Sequence, residues 1–228
     1  MRIYPAPLML LLALLAPPLS AQTSLTAAHI TYTFEHPQLQ PSRFTISIDE
    51  TGAGRFTSQP GPAPTDATDG VFPTPLDRPI VLDDSLRANL FRYARSHNFF
   101  ATRCSTTQTS LAFTGNKTLA YSGPDGSGSC TFVWAGDPAL QRIADQLGAV
   151  AFTIEEGRRL ALEVQHDRLG LDAELESLQD AVKDHRALDL PNIAPQLQTI
   201  TQDQQVMDRA RKRAQALLSH SETTTKRN

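Results

Sequence analysis

The chain is poor in the residues that most often announce chemistry. It has two cysteines and six histidines among 228 residues. The histidines (His29, His36, His97, His166, His185 and His220) fall at none of the His-Glu-x-x-His or His-x-His spacings that bring two imidazoles onto one metal, so no metal and no other cofactor is expected. Charge of one sign is also lacking. With 21 basic and 24 acidic side chains the formal net charge is −3, which gives no pull toward nucleic acid, and no nucleic-acid partner is expected. After the first twenty residues no stretch is long and apolar enough to span a bilayer.

Catalytic motifs are lacking too. Gly-Ser-Gly-Ser at Gly126–Ser129 does not place a serine between two glycines at the offsets of a nucleophile elbow, and it reads as a turn before a strand. Gly-Ala-Gly at Gly52–Gly54 has neither the third glycine nor the following helix of a dinucleotide loop. Glu155, Glu156, Arg158 and Arg159 stand at helical spacing and read first as surface ion pairs, with a catalytic carboxylate as the sharper alternative. Asn116-Lys117-Thr118 matches a glycosylation acceptor, which matters only on a eukaryotic secretory route.

The N-terminus shows what is present. Arg2, an apolar run from Leu8 to Ala16, helix-breaking Pro17 and Pro18, and the small residues Ser20 and Ala21 make up a secretory leader over residues 1–21. The mature chain is therefore expected in the periplasm or outside the cell, without a transmembrane segment. In such an oxidising compartment Cys104 and Cys130 are expected to form a structural disulfide, since their spacing fits neither a redox Cys-x-x-Cys pair nor a zinc site. Closing a loop of about 25 residues restricts the unfolded chain by roughly 3–4 kcal/mol.

Period-two alternation over 30–34, 44–48 and 55–57 predicts strands, with Asp-Glu-Thr-Gly-Ala-Gly as a hairpin turn between the last two. A proline-rich stretch over 59–79 reads as an exposed loop. Asp83 then starts a helix with Leu86, Leu90, Phe91 and Ala94 on one stripe. Three further strands are expected, led by Leu111 and Phe113, by Leu119 and Tyr121, and by Cys130, Phe132 and Trp134. Their order makes a meander in which Cys104 reaches Cys130 from the connecting segment.

Asp137-Pro138 opens a helical region. Leu140, Ile143, Leu147, Val150, Ile154, Gly157, Ala161, Val164, Arg168, Leu171, Leu175, Leu178, Val182 and His185 follow heptad spacing, in one helix or in two that meet near Gly170. After a break between Pro191 and Pro195, a final helix repeats the spacing and is expected to fold back as a coiled-coil-like hairpin. Residues 137–190 hold 12 acidic and 6 basic side chains against 3 and 6 in residues 191–228, which favours that pairing. Arg209, Arg211, Lys212 and Arg213 form the densest basic cluster, a candidate contact for an anionic partner or for the acidic helix.

The expected architecture is thus α+β: a leader, an antiparallel sheet with a covering helix over 22–136, a helical hairpin over 137–220 and a disordered tail over 221–228. The function that fits is an exported, non-catalytic interaction or binding module, with a protein partner or self-association through the C-terminal helices. An inhibitor of an extracellular hydrolase that presents the 59–79 loop is one alternative. An envelope enzyme with a site assembled from distant residues is the other.

Overall fold

A computed structural model describes residues 27–62, 74–108 and 110–227. Residues 1–21, read above as a leader, and the middle of the proline-rich stretch lie outside the described residues. The sheet has six antiparallel strands, β1 (His29–Glu35), β2 (Arg43–Asp49), β3 (Ala53–Gln59), β4 (Leu76–Val81), β5 (Asn116–Gly123) and β6 (Gly126–Phe132), in the order β4-β3-β2-β1-β5-β6. Helix α1 (Asp84–Ser96) follows β4, and α2 (Pro138–His166), α3 (Leu171–Lys183), α4 (Ala194–Gln202) and α5 (Asp208–Arg227) follow β6. The α+β class, the antiparallel sheet, its covering helix and the helical C-terminal region are as expected.

The strand alternation does what a half-buried sheet requires. Ile30, Tyr32, Ile46, Ile48, Phe56, Ile80, Leu119, Tyr121 and Phe132 face one side and join Leu86, Leu90, Phe91, Leu140, Leu147 and Ile154 in a single core. The other face carries Thr33, Thr45, Thr57, Thr118 and Thr131 in register. At ~1.5–3 kcal/mol for each large side chain fully buried, the inward row supplies most of the sheet's stability.

Three details differ from the sequence reading. Leu111 and Phe113 are exposed and belong to no strand: after the 3-10 turn Asn98–Phe100 the chain runs irregularly to β5, apart from a single bridge between Ser105 and Ala135. The end of the proline-rich stretch is strand β4, where Pro79 is tolerated because an edge strand needs no donor on its outer side. Gly126–Ser129 lies within β6, and the turn before it is only Pro124-Asp125.

The glycines of β6 have a packing reason. Asn98, Phe99 and Phe100 hold positive φ of 51°, 55° and 66°, a costly backbone for non-glycine residues. Phe100 is fully buried, and Phe99 lies across β6. A Cβ on Gly128 would stand 2.6 Å from the Phe99 carbonyl oxygen and 2.8 Å from the Ala101 nitrogen. Only a strand without side chains at these positions lets the turn settle onto it.

Both sheet edges are met in part by other segments of the chain. Along β6, the Cys104–Cys130 disulfide, with a Cα–Cα distance of 5.9 Å, holds the 104–106 segment, where Thr106 N–H donates to the Trp134 carbonyl and Gly136 N–H to the Cys104 carbonyl. Along β4, the side chain of Asn192 acts as a one-residue strand. It accepts from Val81 N–H and donates to the Val81 carbonyl, both at 2.9 Å, while Arg78 donates to the Asn192 carbonyl. Satisfying edge groups this way shortens the template for strand addition.

The heptad seam forms, but it is spent inside the chain and does not make a two-helix hairpin. Asp167–Gly170 separates α2 from α3, and residues 203–207 separate α4 from α5. Leu160, Leu171, Leu175, Leu178, Ile193, Leu197, Ile200, Ala210, Ala214 and Leu217 close a second core shared by α2 to α5. Gly157 lets this core form, because a Cβ there would run into the Ile193 side chain. The exposed seam residue Arg168 pairs with Asp203 at 3.4 Å and Arg211 with Asp208 at 3.3 Å, so no like-charge clash arises. Helix α5 continues through the stretch read as a tail.

Gly128→Ala is expected to lower unfolding stability by about 1–3 kcal/mol, the usual cost of forcing atoms into a filled space. Reduction of the disulfide should lower it by ~2–4 kcal/mol. Urea titrations of both proteins, with and without reductant, measure the two effects; unchanged midpoints would contradict this account of the β6 edge.

Candidate binding cleft

Where the two cores adjoin, α2 leaves part of its surface uncovered. The heptad stripe is buried, but a neighbouring stripe of Gly148, Ala151, Phe152, Glu155, Arg159 and Leu162 faces the turn between β1 and β2. That turn contributes Leu39, Gln40 and Pro41, and the strand ends beneath it contribute Phe34 and Phe44. Between them lies a cleft of about 520 Å³ with mainly apolar walls, a size and lining suited to a small ligand or to a partner's apolar side chains.

One wall is charged, and its carboxylates are more buried than those of surface ion pairs would be. Ser58, itself buried, donates to Glu155 at 2.5 Å, and Arg158 donates to the other Glu155 oxygen at 2.8 Å. Glu156, with only 5% of its side chain exposed, pairs with Arg159, which also reaches Glu174 of α3 at 3.1 Å. One turn beyond Arg159 on α2, Glu163 keeps an oxygen buried without a hydrogen-bond partner among the described residues. Burial pushes the Glu163 carboxyl up to about 7, aided by the negative charges of Glu174 and Asp167 and opposed by Arg159. Burial raises Glu156 in the same way, against the pull of Arg159.

The cleft was legible only as a fragment. The Glu155–Arg159 cluster stood out, but not the cavity it borders. The signal that could have found it is the second stripe, 148-152-155-159-162, which runs at helical spacing beside the seam and places Glu155 and Arg159 between Phe152 and Leu162.

The other candidates fall elsewhere. Arg209 and Arg213 both pair with Asp172, at 2.6 and 3.0 Å, and Arg213 also reaches Glu176 at 2.9 Å. Arg211 and Lys212 pair with Asp208. The basic cluster thus meets carboxylates of its own chain, though Arg209 and Lys212 stay largely exposed. Ser96, His97 and Asp137 come together with the residue types of a hydrolase triad, Ser96 Oγ lying 2.9 Å from His97 Nδ1. The Ser96 hydroxyl, however, also reaches the Tyr93 carbonyl, Tyr93 donates to Asp137 at 2.7 Å, and His97 Nε2 is 3.8 Å from Asp137. The group ties the end of α1 to the start of α2, where Asp137 caps α2. Among the described residues no three His, Cys, Asp or Glu side chains are grouped to hold a metal ion, and no helix is long and apolar enough to cross a membrane.

No protein-family model matches this sequence, and no curated protein is similar to it at a meaningful level.

The raised carboxyls set a pH dependence. Glu163, at about 7, and Asp189, pushed up to about 6 by burial, bind a proton more tightly in the folded protein than in the unfolded chain. Stability therefore falls as pH rises between the ordinary carboxylate range and about 7. Asp137 and Asp49 are lowered by hydrogen bonds, from Tyr93 and Thr51 respectively, and lose their contribution as pH falls through their folded values. The melting temperature should peak near pH ~5 and decline toward 7.5, and Glu163→Gln should flatten the decline. Thermal melts from pH 4.5 to 8 that rise monotonically would rule this out.

Proposed function

We propose that this protein is an exported, non-catalytic binding module that takes an apolar group into the cleft between the β1–β2 turn and α2. The disulfide supports export, because such bonds persist in oxidising compartments, and the leader-like N-terminus agrees with it. Self-association through the heptad seam has little to draw on, since that stripe is buried within the chain's own two cores. The inhibitor reading depends on the 59–79 stretch, of which residues 63–73 lie outside the described residues.

The observation that carries the proposal is Gly148. A glycine inside a helix costs about 1 kcal/mol relative to alanine, so it calls for a reason. At Gly157 the reason is a close neighbour, but a Cβ on Gly148 would meet nothing within 4 Å. Gly148 lines the cleft, and what its missing side chain preserves is the open space.

Gly148→Leu separates binding from folding. It should raise the melting temperature by about 2–4 °C through better helix propensity while filling the cleft. Fluorescence titration with the neutral dye Nile red should show binding to the natural protein and at least about tenfold weaker binding to the variant, a loss of ~1.4 kcal/mol. Equal binding by both, or none by the natural protein, would remove the cleft as the site.

A further inference from the structure

The lining of the cleft bears on its ligand's charge as well as on its polarity. We infer that the cleft takes a small molecule uncharged along its whole length, and that the paired charges of the α2 wall turn charged molecules away. This rests on the cleft being the binding site.

The charged side chains that line the cleft are Glu155, Glu156, Arg158 and Arg159, and they form two pairs. Both oxygens of Glu155 are taken: Ser58 donates to one, and Arg158 Nε and Nη2 reach the other at 2.8 and 2.7 Å. The third Arg158 nitrogen, Nη1, faces the Thr74 carbonyl at 3.5 Å. Glu156 is almost fully enclosed and holds Arg159, whose guanidinium is shared with Glu174 outside the cleft. On the β1–β2 turn opposite, Gln40 is the polar side chain, and its carbonyl oxygen already accepts from Gly61 N–H.

An ammonium entering the cleft therefore meets no carboxylate without a guanidinium, and a carboxylate meets no guanidinium without a carboxylate. Either must break a partly buried pair or give up its water without a partner, and both are costly. An uncharged molecule meets neither cost and gains from the apolar walls of Phe34, Phe44, Phe152 and Leu162. The same walls favour a free molecule over a protein surface. Among the cleft's large apolar residues only Leu39 and Leu162 are exposed, while Phe44 is buried and Phe34 and Phe152 are half-buried. Two such side chains fall far short of the ~800 Å² that each partner of a stable protein complex buries.

The test sets decanol, decylamine and decanoate, each below its micellar range, to displace Nile red from the mature protein at pH 7.5. Ten carbons fill roughly 300 Å³ at about 30 Å³ for each water-sized group, so the head group of each probe fits inside the cleft with its chain. Decanol should bind about tenfold tighter than either charged probe. Breaking one pair should then create the missing selectivity, with a sign set by the charge left behind. Arg158→Gln leaves Glu155 uncompensated and should raise affinity for decylamine relative to decanoate at least about fivefold; Glu155→Gln should shift the same ratio toward decanoate. Arg159→Gln, on the more exposed pair, is the second variant if these do not fold, and it should also shift the ratio toward decylamine. Decylamine or decanoate binding the natural protein as tightly as decanol, or a ratio that no substitution moves in its expected direction, overturns the inference and leaves the cleft reading standing. So does Nile red binding that Gly148→Leu weakens but no probe displaces. No binding of Nile red by the natural protein overturns both.

Discussion

A single helix serves two hydrophobic cores, and the rest of the molecule follows from that. The first half of α2 buries Leu140, Ile143, Leu147, Val150 and Ile154 against the sheet, while Leu160 in its second half lies in the core formed with α3, α4 and α5. Burying one continuous stripe on two different partners fixes where the sheet ends and the helical cluster begins. The neighbouring stripe, at the point where the partners change, has no full cover, and the cleft lies along it. It arises from the same packing that holds the fold together.

A second tie keeps the two parts in register. Asn192 completes the hydrogen bonding of Val81, and three residues earlier Asp189 accepts from the Asp83 backbone N–H at 3.1 Å, at the residue that caps α1. The helical cluster thus also closes an edge of the sheet. The opposite edge is closed by a covalent bond and a strained left-handed turn pressed onto the glycines of β6. At Val81 and along the stapled segment, the edge groups already have partners within the chain. The described surface also offers the apolar cleft with its charged wall.

The fold was largely legible in the sequence wherever a local rule acts alone. Alternation over 30–34 and 44–48, the Asp83 and Asp137 caps, and the heptad spacing from Leu140 all reappear in the structure at nearly the same positions. The reading went astray where a local pattern met a nonlocal constraint. Leu111 and Phe113 alternate like a strand, but the place beside β5 that such a strand would take is occupied by β1. Gly126–Ser129 has the composition of a turn, and it lies in a strand because the Phe99 turn needs that space. Of the cleft, only the Glu155–Arg159 charges could be seen, since Leu39 and Pro41 stand more than a hundred residues earlier in the chain.

By itself the sequence determined the leader-like N-terminus, the pairing of the only two cysteines, the faces of the strands and the stripe that α2 buries. These depend on composition or on periods of two and three to four residues, and such patterns act between neighbours along the chain. Tertiary structure alone decided which surfaces the buried stripe meets, which polar groups lose water and which helix face stays open. Those outcomes depend on distances between segments far apart in the chain. That is why Glu156 and Glu163, ordinary acidic residues on a helical wheel, become carboxyls whose proton affinity is raised by burial once the chain has folded.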